Sequence, residues 1–257
     1  MKYPIILVHG IMIKDFKFIK AFGRIEKILK DNNYACYTAD TDGFGTIEND
    51  ALQLKKFIEQ VLIKEKVDKV NIIAHSKGGL DTKYMISKLD MKDKVASFTS
   101  LCTPFKGSPI ASLLLKLPKF ITKIMGWYVD LIYRIFKDKN PSSLKVCHQL
   151  KKIDNIEDEC LDIKESVYCQ SYSTTLKKRR DDFVMGIPLT FSKFVTKSET
   201  DGLVEEDSTI FGNYRGKAID GSISHTEIID FFVKKKKRNK IHSFYLSLCL
   251  DLENKGF

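Results

Sequence analysis

No run of 18 apolar residues occurs in the 257-residue chain, and its longest uncharged stretches, 3–13, 95–105 and 166–176, span 11 residues each. A membrane-crossing helix is therefore excluded from the sequence. Six prolines and 14 glycines are too few for a collagen-like or proline-rich architecture. The six cysteines, Cys36, Cys102, Cys147, Cys160, Cys169 and Cys249, form no CxxC pair and no metal spacing. Scattered among mostly apolar neighbours, they read as reduced core thiols. Met1-Lys2-Tyr3-Pro4 runs straight into an apolar segment too short for a signal peptide, and no small-residue cleavage site follows. As written the chain reads as cytoplasmic, with a secreted mature form left open. Internal repeats and low-complexity segments are lacking too. What is present is globular: 43% hydrophobic and 30% charged residues, too much apolar material for a disordered chain.

Acidic residues are the scarcer sign. Forty-three Lys and Arg face 33 Asp and Glu, a net charge of +10. Nucleic acid or an anionic lipid surface could use such a balance. The densest runs, Lys177-Lys178-Arg179-Arg180 and Lys234 to Arg238, carry no interleaved aromatics and no nucleic-acid motif. No nucleic-acid partner is expected; a lipid surface stays a candidate. Oligomeric state is not written in these patterns.

Ile5-Ile6-Leu7-Val8 is a continuous apolar run, the mark of a parallel strand buried on both faces. Residues 15–30 show helical spacing, with Phe18, Phe22, Ile25 and Leu29 on one face. A strand at 34–38, a helix at 49–64, a strand at 70–74, a helix at 79–89 and a strand at 95–102 continue the alternation. That order implies a doubly wound, mostly parallel α/β sheet with helices on both faces. Beyond it, 109–152 holds no strand. Strands at 167–171 and 214–219 and helices at 226–233 and 240–254 close the chain. Residues 109–160 read as a helical insertion in a single domain spanning 1–257.

The third strand runs into Ala74-His75-Ser76-Lys77-Gly78-Gly79, and a helix follows. This is a strand–serine–helix elbow. Residues two before and two after the serine approach closely, so only small side chains fit, and Ala74 and Gly78 are small. The turn lifts Ser76 to a helix N-terminus, where developing negative charge is favoured. A serine hydroxyl needs a base to become a nucleophile. His75 adjoins the serine, its side chain expected to point away from Oγ. His9 follows the first strand, His148 lies in the insertion and His242 falls inside the last helix. His225, in a loop before a helix, suits the order serine, acid, histidine. The acid must lie between them. Asp201, followed by Gly202, is a candidate; Glu205, Glu206 and Asp207, in what looks like a solvated acidic loop, and Asp220 are its rivals.

These motifs resemble those of bacterial triacylglycerol lipases of the α/β-hydrolase fold. Residues 3–11 resemble their opening strand and oxyanion loop, and 70–79 their nucleophile elbow. Residues 100–108 are similar to the segment after their next strand, Asp201-Gly202-Leu203-Val204 to their acid loop and Ser224-His225-Thr226-Glu227 to their histidine loop. The resemblance spans 3–227 and implies a serine hydrolase of lipid or acyl esters using Ser76, Asp201 and His225. Phospholipase, thioesterase or acyltransferase chemistry would use the same triad, and a catalytically silent lipid-binding protein would keep the fold. The resemblance also implies an oxyanion hole from the backbone N–H groups of Ile11 and Lys77, with the Lys77 side chain facing solvent. No cofactor is implied. Several relatives hold a structural Ca²⁺ near the histidine loop; Glu227 lies near such a position, without an assignable second carboxylate. Two departures stand out. Phe105 replaces the usual His, and Met12-Ile13-Lys14-Asp15 replaces Gly-Phe-Asp.

Within the insertion, residues 121–136 approach helical spacing, with Lys123, Asp130 and Arg134 among the polar positions. Such a helix is an amphipathic lid over the site that meets lipid when open, or a static cap shaping an acyl pocket. The pattern is the same for both.

Overall fold

Ile5–Val8 becomes β1, and every residue of it is buried because the sheet is covered on both faces. The computed structural model describes residues 1–11, 14–15, 18–151 and 161–257. After β1 come α1 (Ile25–Asp31), β2 (Cys36–Thr38), α2 (Ile47–Glu65), β3 (Val70–His75), α3 (Lys77–Lys88) and β4 (Val95–Leu101). The segment after β4 contributes α4 (Pro109–Leu114), α5 (Lys119–Ile135) and α6 (Ser143–Gln149). The chain then runs through α7 (Leu161–Ser166), β5 (Tyr168–Ser173), α8 (Gly186–Val195), β6 (Asn213–Lys217) and α9 (Lys235–Asn254). Residues 152–160 of the expected insertion, with Cys160, lie outside the described residues.

The six strands stand in the order β2-β1-β3-β4-β5-β6, all parallel. Successive side chains of a strand point to opposite faces, and this divides the core in two. Ile6, Val8, Ile72 and Ala74 pack beneath α2 and α3 with Leu54, Ile58 and Met85. Ile5, Leu7, Ile73 and Leu101 pack beneath α1 and α9 with Ile25, Leu29, Tyr245 and Leu248. The α/β-hydrolase architecture expected from the sequence is present. Chain order reverses between β1 and β3, which opens a crevice at their carboxyl ends.

Two expected helices shrink. The stretch 15–30 is helical only from Ile25. Asp15 accepts from the Ala21 N–H at 2.8 Å, and Gly23 takes a left-handed φ of 48°; both bend the chain out of a helix. Phe18 is consequently fully exposed, whereas Phe22, Ile25 and Leu29 are buried; residues 16–17 lie outside the described residues. The stretch 226–233 is one tight turn, Glu227–Ile229, stopped by left-handed Asp230 and Phe232. Cys36, Cys102, Cys147 and Cys249 are free thiols, as expected, and of the five described cysteines all but half-buried Cys147 are buried.

Candidate active site

At the end of β3 the chain turns through Ser76, whose φ of 54° and ψ of −131° place it in a strained, left-handed backbone. Side-chain size around that turn follows from contact. A Cβ on Gly78 would lie 2.4 Å from the His9 carbonyl oxygen, and one on Gly10 would lie 2.6 Å from Ser76 Cβ. Both glycines let β1 and the elbow touch backbone to backbone. The first N–H of α3 belongs to Lys77 and has no acceptor within its own helix.

Three of the sequence-derived candidates come together. His225 Nε2 lies 2.9 Å from Ser76 Oγ, and His225 Nδ1 lies 2.7 Å from Asp201 Oδ2. With the proton on Nδ1, donated to Asp201, Nε2 accepts the serine hydroxyl. Asp201 Oδ1 accepts from the N–H groups of Leu203 (3.0 Å) and Val204 (2.8 Å). All three side chains are buried. The rivals stand elsewhere. His242 Nε2 bonds Asp230 at 3.2 Å, Glu206 accepts from the Tyr214 hydroxyl, and Asp207 and Asp220 are exposed. Glu205, expected in a solvated loop, is buried because a bridge to Thr200 folds the acid loop back on itself.

The expectation that the Lys77 side chain faces solvent is wrong. It is 1% exposed, and its ammonium sits between Asp50 of α2 (2.7 Å) and Asp81 of α3 (2.8 Å). Residue 77 starts a helix whose first turn is pressed between α2 and the sheet, so its side chain has only an interior direction. Burial alone would lower the Lys77 pKa, but the two carboxylates outweigh it and the net shift is upward. One ammonium cannot neutralise two buried acids. Burial pushes Asp50 up to about 6 and Asp81 well above the usual carboxylate range.

Two further groups make contacts that the sequence did not show. His75 Nε2–H donates to the His225 carbonyl oxygen at 2.9 Å, with the two rings 4.6 Å apart. Burial, then the neighbouring His225, holds His75 well below its ordinary 6.5, and its Nδ1 has no partner among the described residues. Cys102 follows β4 at a φ of 53°, its Sγ 3.3 Å from Thr174 Oγ1. Burial drives its thiol far up, so it stays protonated beside Asp201. Neither contact has a spacing signature; each arises where segments distant in the chain meet at the carboxyl ends of the strands.

Cys102, Asp201 and His225 are the one group of three metal-capable side chains among the described residues, with ligand atoms within 4.8 Å. Two of them are already engaged in the series with Ser76. Glu227 accepts from the Lys237 ammonium and the Ser224 N–H. A carboxylate paired with an ammonium does not suit Ca²⁺, which takes six to eight oxygens.

Ser76 and His225 open into a cavity of about 340 Å³ whose walls are otherwise almost wholly apolar, with Ile11, Leu114, Met125 and Val204 among them. Phe105, where the resemblance led to a His, stacks on Phe211 at 4.6 Å and serves the core. Helix α5 roofs the cavity with Thr122, Met125, Gly126 and Val129. At 100° per residue, Phe120, Ile124, Trp127, Tyr128, Leu131 and Ile135 fall nearly opposite, and all six are 42–71% exposed. The helix is thus apolar on two sides, and its charged residues are confined to a narrow flank.

Residues 4–183 match the palmitoyl protein thioesterase family. Triacylglycerol lipase 2 of Saccharomyces cerevisiae is 26% identical over 267 residues, 91% of this chain and 73% of its own length. A triacylglycerol lipase of Pseudarthrobacter phenanthrenivorans is 34% identical over 119 residues, 44% of this chain and 36% of its own, so the match spans about a third of that relative. Staphylococcus hyicus lipase shares the fold, with a TM-score of 0.71 at 13% identity over 98% of this chain and 95% of its own.

Proposed function

The chain belongs to the palmitoyl protein thioesterase family and is a carboxylic ester hydrolase, and from that premise we propose that Ser76 is its nucleophile, His225 its general base and Asp201 the acid that orients His225. Ser76 Oγ attacks the acyl carbonyl while His225 Nε2 takes its proton. Asp201 holds the imidazole in the required tautomer and stabilises the imidazolium. The N–H groups of Ile11 and Lys77 receive the oxyanion; fixed backbone donors pay no reorganisation as charge develops. His225 then protonates the leaving alcohol, and water, activated in turn by His225, releases the acid. The observation that carries this reading is the unbroken series Asp201–His225–Ser76 opening on an apolar cavity. No cofactor takes part in these steps.

The cavity favours a long acyl group over a polar one. A thioester is the second reading, supported by the matched family. The described part of the expected insertion, 109–151, acts as a cap inserted in a single hydrolase domain. Its helix α5 is a lid that meets an anionic lipid surface, a reading supported by its outward apolar face.

The test is fluorophosphonate labelling together with a hydrolysis panel. The panel holds p-nitrophenyl esters of short to long acyl chains, an emulsified triglyceride, a phospholipid and an acyl thioester. Labelling at Ser76 and a preference for long chains are expected. A chain that neither labels nor turns over any member is a silent lipid binder, and the reading falls.

A further inference from the structure

Helix α8 carries an apolar stripe that neither the cavity nor the core uses. Ile187, Phe191, Phe194 and Val195 fall on one side and are 48–85% exposed, while Gly186, Leu189 and Ser192 on the other side are buried. Immediately before the helix, Phe183 is 92% exposed. Cations flank this stripe along the chain: Lys177, Lys178, Arg179 and Arg180 precede it, and Lys193 and Lys197 lie in and after it, all exposed. The three acids of the same stretch are bonded locally and are outnumbered two to one by its cations. Asp181 accepts from the Ser222 hydroxyl and the Lys178 N–H, and Asp182 accepts from the N–H groups of Val184 and Met185 and from the Ser224 hydroxyl. Glu199, just beyond, pairs with Lys217.

This surface is tied to the reacting groups. Ser192 Oγ donates to the Gly202 carbonyl oxygen at 2.9 Å, one residue from Asp201. Ser224, held by Asp182, is one residue from His225. Helix α8 also packs against α4, whose half-exposed Leu114 lines the cavity. Whatever α8 rests on therefore lies beside the cavity mouth.

We propose that α8 and the basic run 177–180 form a docking surface for an anionic bilayer, separate from the lid α5. Aromatic side chains that enter the acyl boundary, flanked by cations that stay at headgroup level, are the chemistry an anionic lipid surface selects. A protein partner would offer discrete carboxylates to particular lysines, whereas these six exposed cations are spread along the chain on either side of the stripe, with Lys193 Nζ donating to the Lys177 carbonyl oxygen. Docking there turns the cavity toward the phase in which long acyl esters reside.

The experiment is co-sedimentation of the full chain with phosphatidylcholine vesicles and with vesicles one third phosphatidylserine, at low and high salt. Wild-type chain is expected on the anionic vesicles, and high salt should release it, because screening shortens the reach of its cations. Phe191→Ser/Phe194→Ser should weaken partitioning about tenfold or more. Lys178→Gln/Arg180→Gln should remove most of the preference for the anionic vesicles. An arm with Ile124→Ser/Trp127→Ser on α5 should lose less than the α8 pair, because α5 meets the surface as a lid over a chain already docked through α8. All these residues are exposed, and equal melting temperatures check the fold. Ser76→Ala should bind as wild type, so a failed catalytic assignment and a failed docking surface read differently. The proposal is overturned if wild type ignores anionic vesicles, or if the α5 pair abolishes binding and the α8 pair does not.

Discussion

Ser76 bears a backbone strain that only its neighbours sustain, and the loss expected on changing it is chemical rather than structural. Ser76→Ala and His225→Ala should each lower kcat by about 10⁴ or more, with the fold intact by circular dichroism. The double variant should lose no more than the single ones, because the two side chains act as a unit. Near-native turnover in His225→Ala, with loss in His242→Ala, would move the base. Lys77 sets up a different residue-scale test. Asp50 titrates near 6 in the folded chain against 3.8 when unfolded. Between those values the folded state holds the extra proton, so this contribution is full below about 3.8 and is lost as pH rises through about 6. Relative to Asp50→Asn, wild-type stability should therefore fall by about 1–3 kcal/mol over that window in urea titrations. A flat difference would show that Asp50 stays ionised throughout.

At the scale of an element, α5 is held unequally at its two ends. Past its carboxyl end, Asp138 accepts from the Gly43 and Phe44 N–H groups and from the Lys14 ammonium at 2.9–3.1 Å. Asp42 answers by accepting from the Lys139 and Asn140 N–H groups. Before its amino end the chain passes through a turn at 115–118, exposed from Lys116 onward, without a comparable clasp among the described residues. A lid anchored so would pivot about its carboxyl end. Ile124 and Tyr128 are 63% and 59% exposed, so Ile124→Ser/Tyr128→Ser should leave stability nearly unchanged. Turnover of a soluble short ester should hold, while the gain seen when a long-chain ester passes its solubility limit should vanish. Equal loss on both substrates would mark α5 as a static cap.

For the whole molecule, two buried histidines oppose the trend set by Asp50. Burial lowers both His9 and His75 from their ordinary 6.5. A depressed histidine contributes stability that is full above about 6.5 and is lost as pH falls toward its folded value. Melting temperature should thus drop between pH 7.5 and pH 5, and less so in His75→Gln. A variant as acid-sensitive as wild type would acquit His75. The +10 charge adds self-repulsion that grows on acidification.

Hydrophobic runs by themselves determined the parallel sheet, since a strand such as Ile5–Val8 can be apolar throughout only if both its faces are covered. Small residues around Ser76, and the order of serine, acid and histidine, made the elbow and its candidate partners legible as well. The two histidine candidates were separable on position, His225 in a loop and His242 within a helix. Local spacing could not say where the Lys77 side chain points, because that depends on Asp50 arriving from α2, 27 residues away. It could not show that His75 grips the backbone of His225, a contact made by bringing distant loops onto one strand end. Nor could it separate the two apolar sides of α5, since periodicity reports that a helix has a face but not what covers it. Those outcomes depend on which surfaces meet, and only the packed chain decides that.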